Sequence, residues 1–89
     1  MEELEKKAAS ILQPILIKYN IPADAVDFKR SMLSLTMEAL GNPAKEVDHI
    51  FEETLCRYEE VDKELPGLYK DQYLVTLQLW TYFRDQHKG

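Results

Sequence analysis

The stretch "DQYLVTLQLWTYFRDQ", residues 71–86, is uncharged through its whole middle and carries most of the aromatic bulk of the C-terminal half. As a strand it would place apolar side chains on both faces, and its β-propensity is high. As a helix it is apolar almost all round, with only Leu74, Gln78 and Thr81 forming a stripe suited to water. We favour the helix, because three helices are predicted before it and a lone strand would have no partner.

Length and composition indicate one helical domain, residues 1–89. A chain of 89 residues has room for a single core. Its hydrophobic share of 45% and charged share of 30% are ordinary for a globular protein and argue against disorder. With ten Glu and only three Gly, the sequence favours helix over sheet or loop.

The first helix is predicted over residues 2–19. One apolar stripe recurs at spacings of three and four: Leu4, Ala8, Ile11, Ile15 and Tyr19. Pro14 lies inside this pattern and lacks the N–H that would bond to the carbonyl of Ser10, so a kink or a break is expected there.

The second and third helices are predicted over residues 22–40 and 43–63. Pro22 suits the first helical position, and Gly41 is expected to end the second helix in a left-handed conformation. Asn42 and Pro43 then begin the third helix. Its buried face is predicted to hold Val47, Ile50, Phe51, Leu55, Tyr58 and Val61.

A turn around Pro66-Gly67 leads into the fourth helix, predicted over residues 69–86. The predicted fold is therefore all-α, a small antiparallel four-helix bundle with a Pro-kinked first helix.

The fourth helix also suggests an interface. Three short neighbours cannot easily enclose a helix that is apolar nearly all round. Either it is the core helix of its own chain, or one side faces another copy or another protein. Aromatic residues are enriched at interface centres. The predicted interface residues are Tyr73, Leu79, Trp80, Tyr82 and Phe83.

The charge pattern bears on the class of partner. The net charge is −5, with five Lys/Arg against six Asp/Glu in residues 1–41 and six against ten in residues 42–89. The acidic side of the third helix, around Glu52 and Glu53, is predicted to meet a basic patch on a partner. The segment "LTMEALGNPAKEVDHIFEETL" resembles a helix-turn-helix, but its second helix would meet phosphates with the wrong sign. Nucleic acid and anionic membranes are therefore disfavoured.

Candidate chemistry is weak. Glu46-x-x-His49 has the spacing used in di-iron helical bundles, with Glu53 and Cys56 one and two turns further on. Such a site needs a second motif, and these residues lie on the charged side of the helix, so neither metal nor cofactor is predicted. No phosphate-binding loop, dinucleotide fingerprint or nucleophile elbow is present, so an enzyme is not expected.

The functional prediction is a non-catalytic, cytoplasmic interaction protein. Its single cysteine excludes an internal disulfide and fits a reducing compartment. It would be of regulatory, adaptor or inhibitor type, as small acidic helical proteins of phages and mobile elements are, and would form a homodimer through the fourth helix. A helix-turn-helix regulator and a metal-binding bundle using Glu46 and His49 are the alternatives.

Overall fold

Four helices account for most of the chain. The computed structural model describes residues 2–88, which form α1 (Glu2–Lys18), α2 (Val26–Leu40), α3 (Ala44–Glu64) and α4 (Lys70–Lys88). No strand occurs within that range, so the helical interpretation of residues 71–86 is confirmed. The Cα radius of gyration is 12.9 Å, close to the value expected of a compact chain of this length.

The end of α1 was only partly predicted. Asn20 adopts a left-handed φ of 53°. The N–H of Ile21 donates to the carbonyl of Leu16 at 3.0 Å, and the N–H of Asn20 donates to the carbonyl of Ile17 at 3.1 Å. These two bonds form a Schellman motif, which satisfies carbonyls that a helix end leaves free.

The α1–α2 connection is longer than predicted. The chain turns after Ile21, and the N–H of Ala25 donates to the carbonyl of Pro22 at 3.1 Å. Pro22 therefore lies in a turn instead of at the first helical position, and α2 begins at Val26. The signal for this end was Asn-Ile-Pro, in which a residue that tolerates positive φ precedes a proline that cannot extend the helix.

The backbone conformation of Gly41 differs from the predicted one. It ends α2, but its φ of −90° and ψ of 1° are not left-handed, so the predicted conformation is wrong. The N–H of Gly41 reaches the carbonyls of Met37 and Glu38, and the side-chain amide of Asn42 donates to the same Glu38 carbonyl. Because Asn42 caps the carbonyl end, the glycine does not need to reverse the chain.

The α3–α4 connection is the tight turn that was predicted. The N–H of Leu68 donates to the carbonyl of Leu65 at 3.1 Å, and Gly67 has φ +86°. Pro66 and Gly67 thus occupy the central positions of a type II turn, in which only glycine takes the positive φ without strain. The Gly67 N–H also donates to Asp62 Oδ1 at 2.6 Å, which fastens the turn to the end of α3.

The core forms where α4 meets the other three helices. α4 packs most extensively on α3, α1 packs mainly on α2, and α4 also contacts both α1 and α2. Residues from all four helices join one buried cluster: Leu12, Ile15, Met32, Leu35, Ala39, Val47, Phe51, Val75, Leu79 and Phe83. The faces of α1 and α3 that were predicted to be buried contribute residues to this cluster.

Two threonines are buried in this core, and their hydroxyl groups are satisfied locally. Thr36 Oγ1 donates to the carbonyl of Met32 at 2.7 Å, and Thr76 Oγ1 lies 2.9 Å from the carbonyl of Gln72. A hydroxyl bonded to the carbonyl four residues back can be buried without an unpaired polar atom.

Pro14 lies inside α1, which continues through it from Glu2 to Lys18. The alternative of a break into two short helices is therefore wrong. Pro14 is exposed, so its ring occupies the solvent side of the helix.

Candidate functional site

Two of the predicted interface residues are core residues of their own chain. Leu79 is 0% exposed and Phe83 is 3% exposed. The Phe83 ring lies 5.9 Å from the ring of Phe51 on α3, centroid to centroid. A partner cannot contact these two side chains while the fold is intact.

The remaining aromatic residues of that set are half-buried and already engaged. Trp80 donates from Nε1 to Asp48 Oδ1 at 2.8 Å, and the Arg84 guanidinium lies 5.3 Å from the centre of its ring. Tyr82 packs edge-on against Phe83, with 5.4 Å between centroids. Between residues 72 and 83 only Thr81 is exposed. For Tyr73, Trp80 and Tyr82 the interface stays a prediction.

The acidic side of α3 faces solvent. Glu52 and Glu53 are both exposed, and Glu53 forms a 3.2 Å ion pair with Arg57, as its spacing suggests. Both partners of that pair are largely exposed, so its contribution to stability is about 0.3–0.5 kcal/mol. Contact with a basic partner stays a prediction.

The residues of the weighed metal motif are spread over the same exposed side. Glu46, His49, Glu53 and Cys56 are all exposed. Across residues 2–88 no three His, Cys, Asp or Glu side chains are grouped closely enough to hold a metal ion.

The largest concavity lies elsewhere, between the second half of α1 and the first half of α2. This α1–α2 groove has a volume of about 590 Å³. Its lining is Ala9, Leu12, Gln13, Leu16, Ile17, Asn20, Ile21, Lys29 and Leu33. Lys29 is the one charged residue among them, and Ile17 is 68% exposed at the surface.

The connection between α1 and α2 contributes to the α1–α2 groove, which Asn20 and Ile21 line. The Schellman motif at Asn20 turns the chain away from α1, and five further residues pass before α2 starts at Val26. At this end of α1, Ile17 is 68% exposed, whereas Leu16 packs against the core. The predicted start of the second helix at residue 22 made this connection too short.

A smaller cavity of about 210 Å³ lies beside the α3–α4 turn. It is lined by Tyr58, Glu59, Asp62, Gly67, Tyr69, Lys70 and Tyr73, and is called the tyrosine cavity below. The rings of Tyr58 and Tyr69 adjoin, with centroids 5.9 Å apart. The hydroxyl of Tyr73 donates to Glu59 Oε1 at 3.4 Å.

Two of the tyrosines that line the tyrosine cavity have raised pKa values. Burial raises the pKa of Tyr58, and the nearby Thr76 hydroxyl opposes part of that rise. Partial burial also raises the pKa of Tyr73, and the negative charge of Glu59 adds to it. Both effects favour the neutral phenol over the phenolate.

None of the helices within residues 2–88 combines the length and the apolar character that a membrane span requires. Comparisons of the chain with protein-family models, with curated proteins and with solved structures found no match in any of the three.

Proposed function

We propose that this protein is a non-catalytic interaction protein of regulatory or adaptor type that self-associates, and that its self-association surface is the α1–α2 groove. The observation that carries the proposal is an apolar groove of about 590 Å³ with an exposed isoleucine at its edge. Exposed concave apolar surface of this kind is typical of interaction sites.

The shape of the patch favours a second copy as the occupant. A two-fold dimer brings the same patch of both protomers together, so the patch must complement itself. Ile17 protrudes with 68% of its surface exposed, directly beside the groove that it helps to line. In a two-fold arrangement the Ile17 side chain of each protomer enters the groove of the other.

The distribution of charge points the same way. Residues 1–41, which form the groove, hold five basic and six acidic residues, whereas residues 42–89 hold six and ten. Contact through α1 and α2 brings nearly neutral halves together and keeps the acidic halves apart. Like charges brought together at an interface weaken association.

Burial argues against the fourth helix as the dimer surface. Leu79 and Phe83 are enclosed by their own chain, and Trp80 is held by Asp48 and Arg84. An interface of standard size removes roughly 800 Å² from each partner. That is about an eighth of the 6311 Å² surface of this chain.

The test is the native mass by light scattering over a dilution series. We expect a dimer whose dissociation constant rises about thirtyfold or more in Ile17→Glu, because a charge replaces the apolar group that the groove would bury. The matched control is Leu68→Glu, which places the same charge on another exposed apolar residue, 58% exposed at the α3–α4 turn.

A wild-type protein that is monomeric at every concentration contradicts the proposal. So does a dimer that Leu68→Glu weakens as much as Ile17→Glu does. Circular dichroism of both variants verifies that the fold is retained.

The finer arrangement of the helices is also proposed: an antiparallel bundle in which Pro14 bends α1. Two contacts support the antiparallel order of α3 and α4, because the residue nearer the start of α3 meets the residue further along α4. They are Asp48 with Trp80 and Glu59 with Tyr73. A double-mutant cycle with Asp48→Ala and Trp80→Phe tests the pairing, because the two changes are coupled in their effect on stability only if these side chains are in contact.

Contact between the acidic side of α3 and a basic partner in the cytoplasm is a further part of this proposal. The exposure of Glu52 and Glu53 supports it. Reversing both charges to Lys should leave the helical content intact while abolishing the binding of a polylysine probe. Unchanged binding would contradict this part alone.

A further inference from the structure

The tyrosine cavity combines aromatic walls with unneutralised carboxylates. Tyr58 comes from α3, Tyr69 from the turn and Tyr73 from α4, and all three are half-buried. Glu59 and Asp62 line the same space. Within residues 2–88 the single ion pair joins Arg57 to Glu53, so neither cavity carboxylate is paired with a cation.

We propose that the tyrosine cavity binds a quaternary ammonium group. The faces of aromatic rings carry negative electrostatic potential and attract cations, and this attraction grows when the cation is partly desolvated. Two carboxylates beside three rings add a net negative charge to the same space. A cation is therefore the charge type that the cavity accepts.

The aromatic walls favour a cation without N–H groups, because the faces of the rings attract positive charge without accepting strong directed hydrogen bonds. One oxygen of Asp62 accepts the Gly67 N–H at 2.6 Å, and one oxygen of Glu59 accepts the Tyr73 hydroxyl at 3.4 Å. A primary ammonium has three donors that need partners when they leave water. A trimethylammonium group has none, so it loses little on entering a space with aromatic walls.

The site is held in place by the backbone. Gly67 has a φ of +86° and fixes the type II turn, and its bond to Asp62 ties that turn to α3. This geometry sets Tyr69 beside Tyr58 before any ligand arrives. A preformed site avoids the ordering cost that weakens binding to mobile loops.

The rings are not covered by a cation of their own chain. The cation–π pairs within residues 2–88 join Lys18 to Tyr19 and Arg84 to Trp80. Lys70 lines the cavity and is exposed, but it forms no such pair with a cavity tyrosine. Its positive charge opposes a cationic ligand, so neutralising it should strengthen binding.

The volume limits the ligand. At about 210 Å³ the cavity is smaller than the roughly 300–1,000 Å³ of sites for drug-sized molecules. It therefore suits a headgroup or the end of a side chain, such as choline or trimethyllysine, and excludes an extended cofactor.

The experiment is an NMR titration of the isotope-labelled protein with choline, following the Gly67 amide. The control ligand is 3,3-dimethyl-1-butanol, which has the shape of choline without its charge. We expect saturable shifts with choline and about two- to thirtyfold weaker binding of the neutral ligand, which is the range a cation–π contribution predicts. Equal binding of the two ligands, or no saturable binding of choline, would overturn the proposal.

Matched variants test the residues. Glu59→Gln and Asp62→Asn keep the acceptor oxygens but remove the charges, and each should weaken choline binding severalfold. Glu60→Gln makes the same charge change at an exposed neighbour that does not line the cavity, and it should have little effect. Equal losses in Glu59→Gln and Glu60→Gln would mean a diffuse charge effect, which contradicts a built site.

The rings need a test that does not depend on folding. Tyr69→Leu keeps apolar bulk without a π face and should weaken choline binding, while Tyr69→Phe should retain most of it. Lys70→Gln should tighten it. Leucine and phenylalanine variants that bind equally would contradict the aromatic contribution.

One further comparison distinguishes a quaternary ammonium group carried by a protein from one carried by a free small molecule. A short peptide containing trimethyllysine between apolar residues could also contact Leu65 and Leu68, which are 57% and 58% exposed at the same turn. Tighter binding of the peptide than of choline, lost in Leu68→Ser, assigns a protein ligand. Equal binding assigns a free small molecule. The site is distinct from the α1–α2 groove, so this result does not depend on self-association.

Discussion

At the scale of single residues, the backbone geometry of two glycines leads to opposite expectations. Gly67 has a φ of +86°, where any other side chain is strained, so Gly67→Ala should destabilise the fold by about 1–2 kcal/mol. Gly41 has a φ of −90°, and an added Cβ would meet its nearest atoms at an ordinary 3.8 Å. Gly41→Ala should therefore stabilise by about 0.4–1 kcal/mol through the unfolded chain. Urea unfolding of both variants measures this, and a reversed order would contradict the assigned turn geometry.

Tyr58 makes the stability dependent on pH at the alkaline end. Because burial raises its pKa above the ordinary 10.0, the folded state holds the phenol proton more tightly than the unfolded chain does. Its contribution is complete below pH 10 and is lost as the pH rises through the raised value. Chemical unfolding across this range should show a shallower decline in Tyr58→Phe than in the wild type. Identical slopes would mean that Tyr58 is no more buried than a free tyrosine.

At the scale of elements, α1 contains a proline at an interior position, where proline destabilises a helix. Pro14 removes one helical hydrogen bond and crowds the carbonyl of Ser10, although α1 runs through it without a break. Pro14→Ala should therefore raise the free energy of unfolding by about 1–3 kcal/mol, since the ring is exposed and contributes little packing. Ser10→Ala, at another exposed position of α1, is the control and should change it by less than about 0.5 kcal/mol. No gain in Pro14→Ala would mean that the fold depends on a bent α1.

At the scale of the whole molecule, α4 contacts each of the other three helices, as α2 also does, and packs most extensively on α3. Leu79 is 0% exposed at its centre, so Leu79→Ala should cost about 2–5 kcal/mol of stability at any protein concentration. Ile17→Ala should cost far less, because that side chain is 68% exposed, and should act on self-association instead. Urea unfolding at two protein concentrations separates the effects. A loss in Leu79→Ala that disappears on dilution would identify Leu79 as an interface residue after all.

Much of the fold can be predicted from local pattern. The apolar spacing of α3 alone identifies Val47, Phe51 and Leu55 as inward-facing, because each turn of a helix repeats the same direction. The Pro66-Gly67 pair likewise specifies its turn, since a positive φ leaves few residue choices. Helix ends were less predictable. The left-handed conformation expected of Gly41 occurs instead at Asn20, after α1, and the side-chain amide of Asn42 caps the end of α2.

An all-helical chain, the inward faces of its helices and the turn between α3 and α4 therefore follow from local sequence, because these features depend on residues a few positions apart. What covers each face depends instead on the tertiary packing. It enclosed Leu79 and Phe83 with helices distant in sequence, and it left Ile17 and the α1–α2 groove uncovered. It also brought Tyr58 and Tyr73 together around one cavity. Periodicity gives the direction in which a side chain points from its own helix, but the neighbour it meets depends on how the four helices pack.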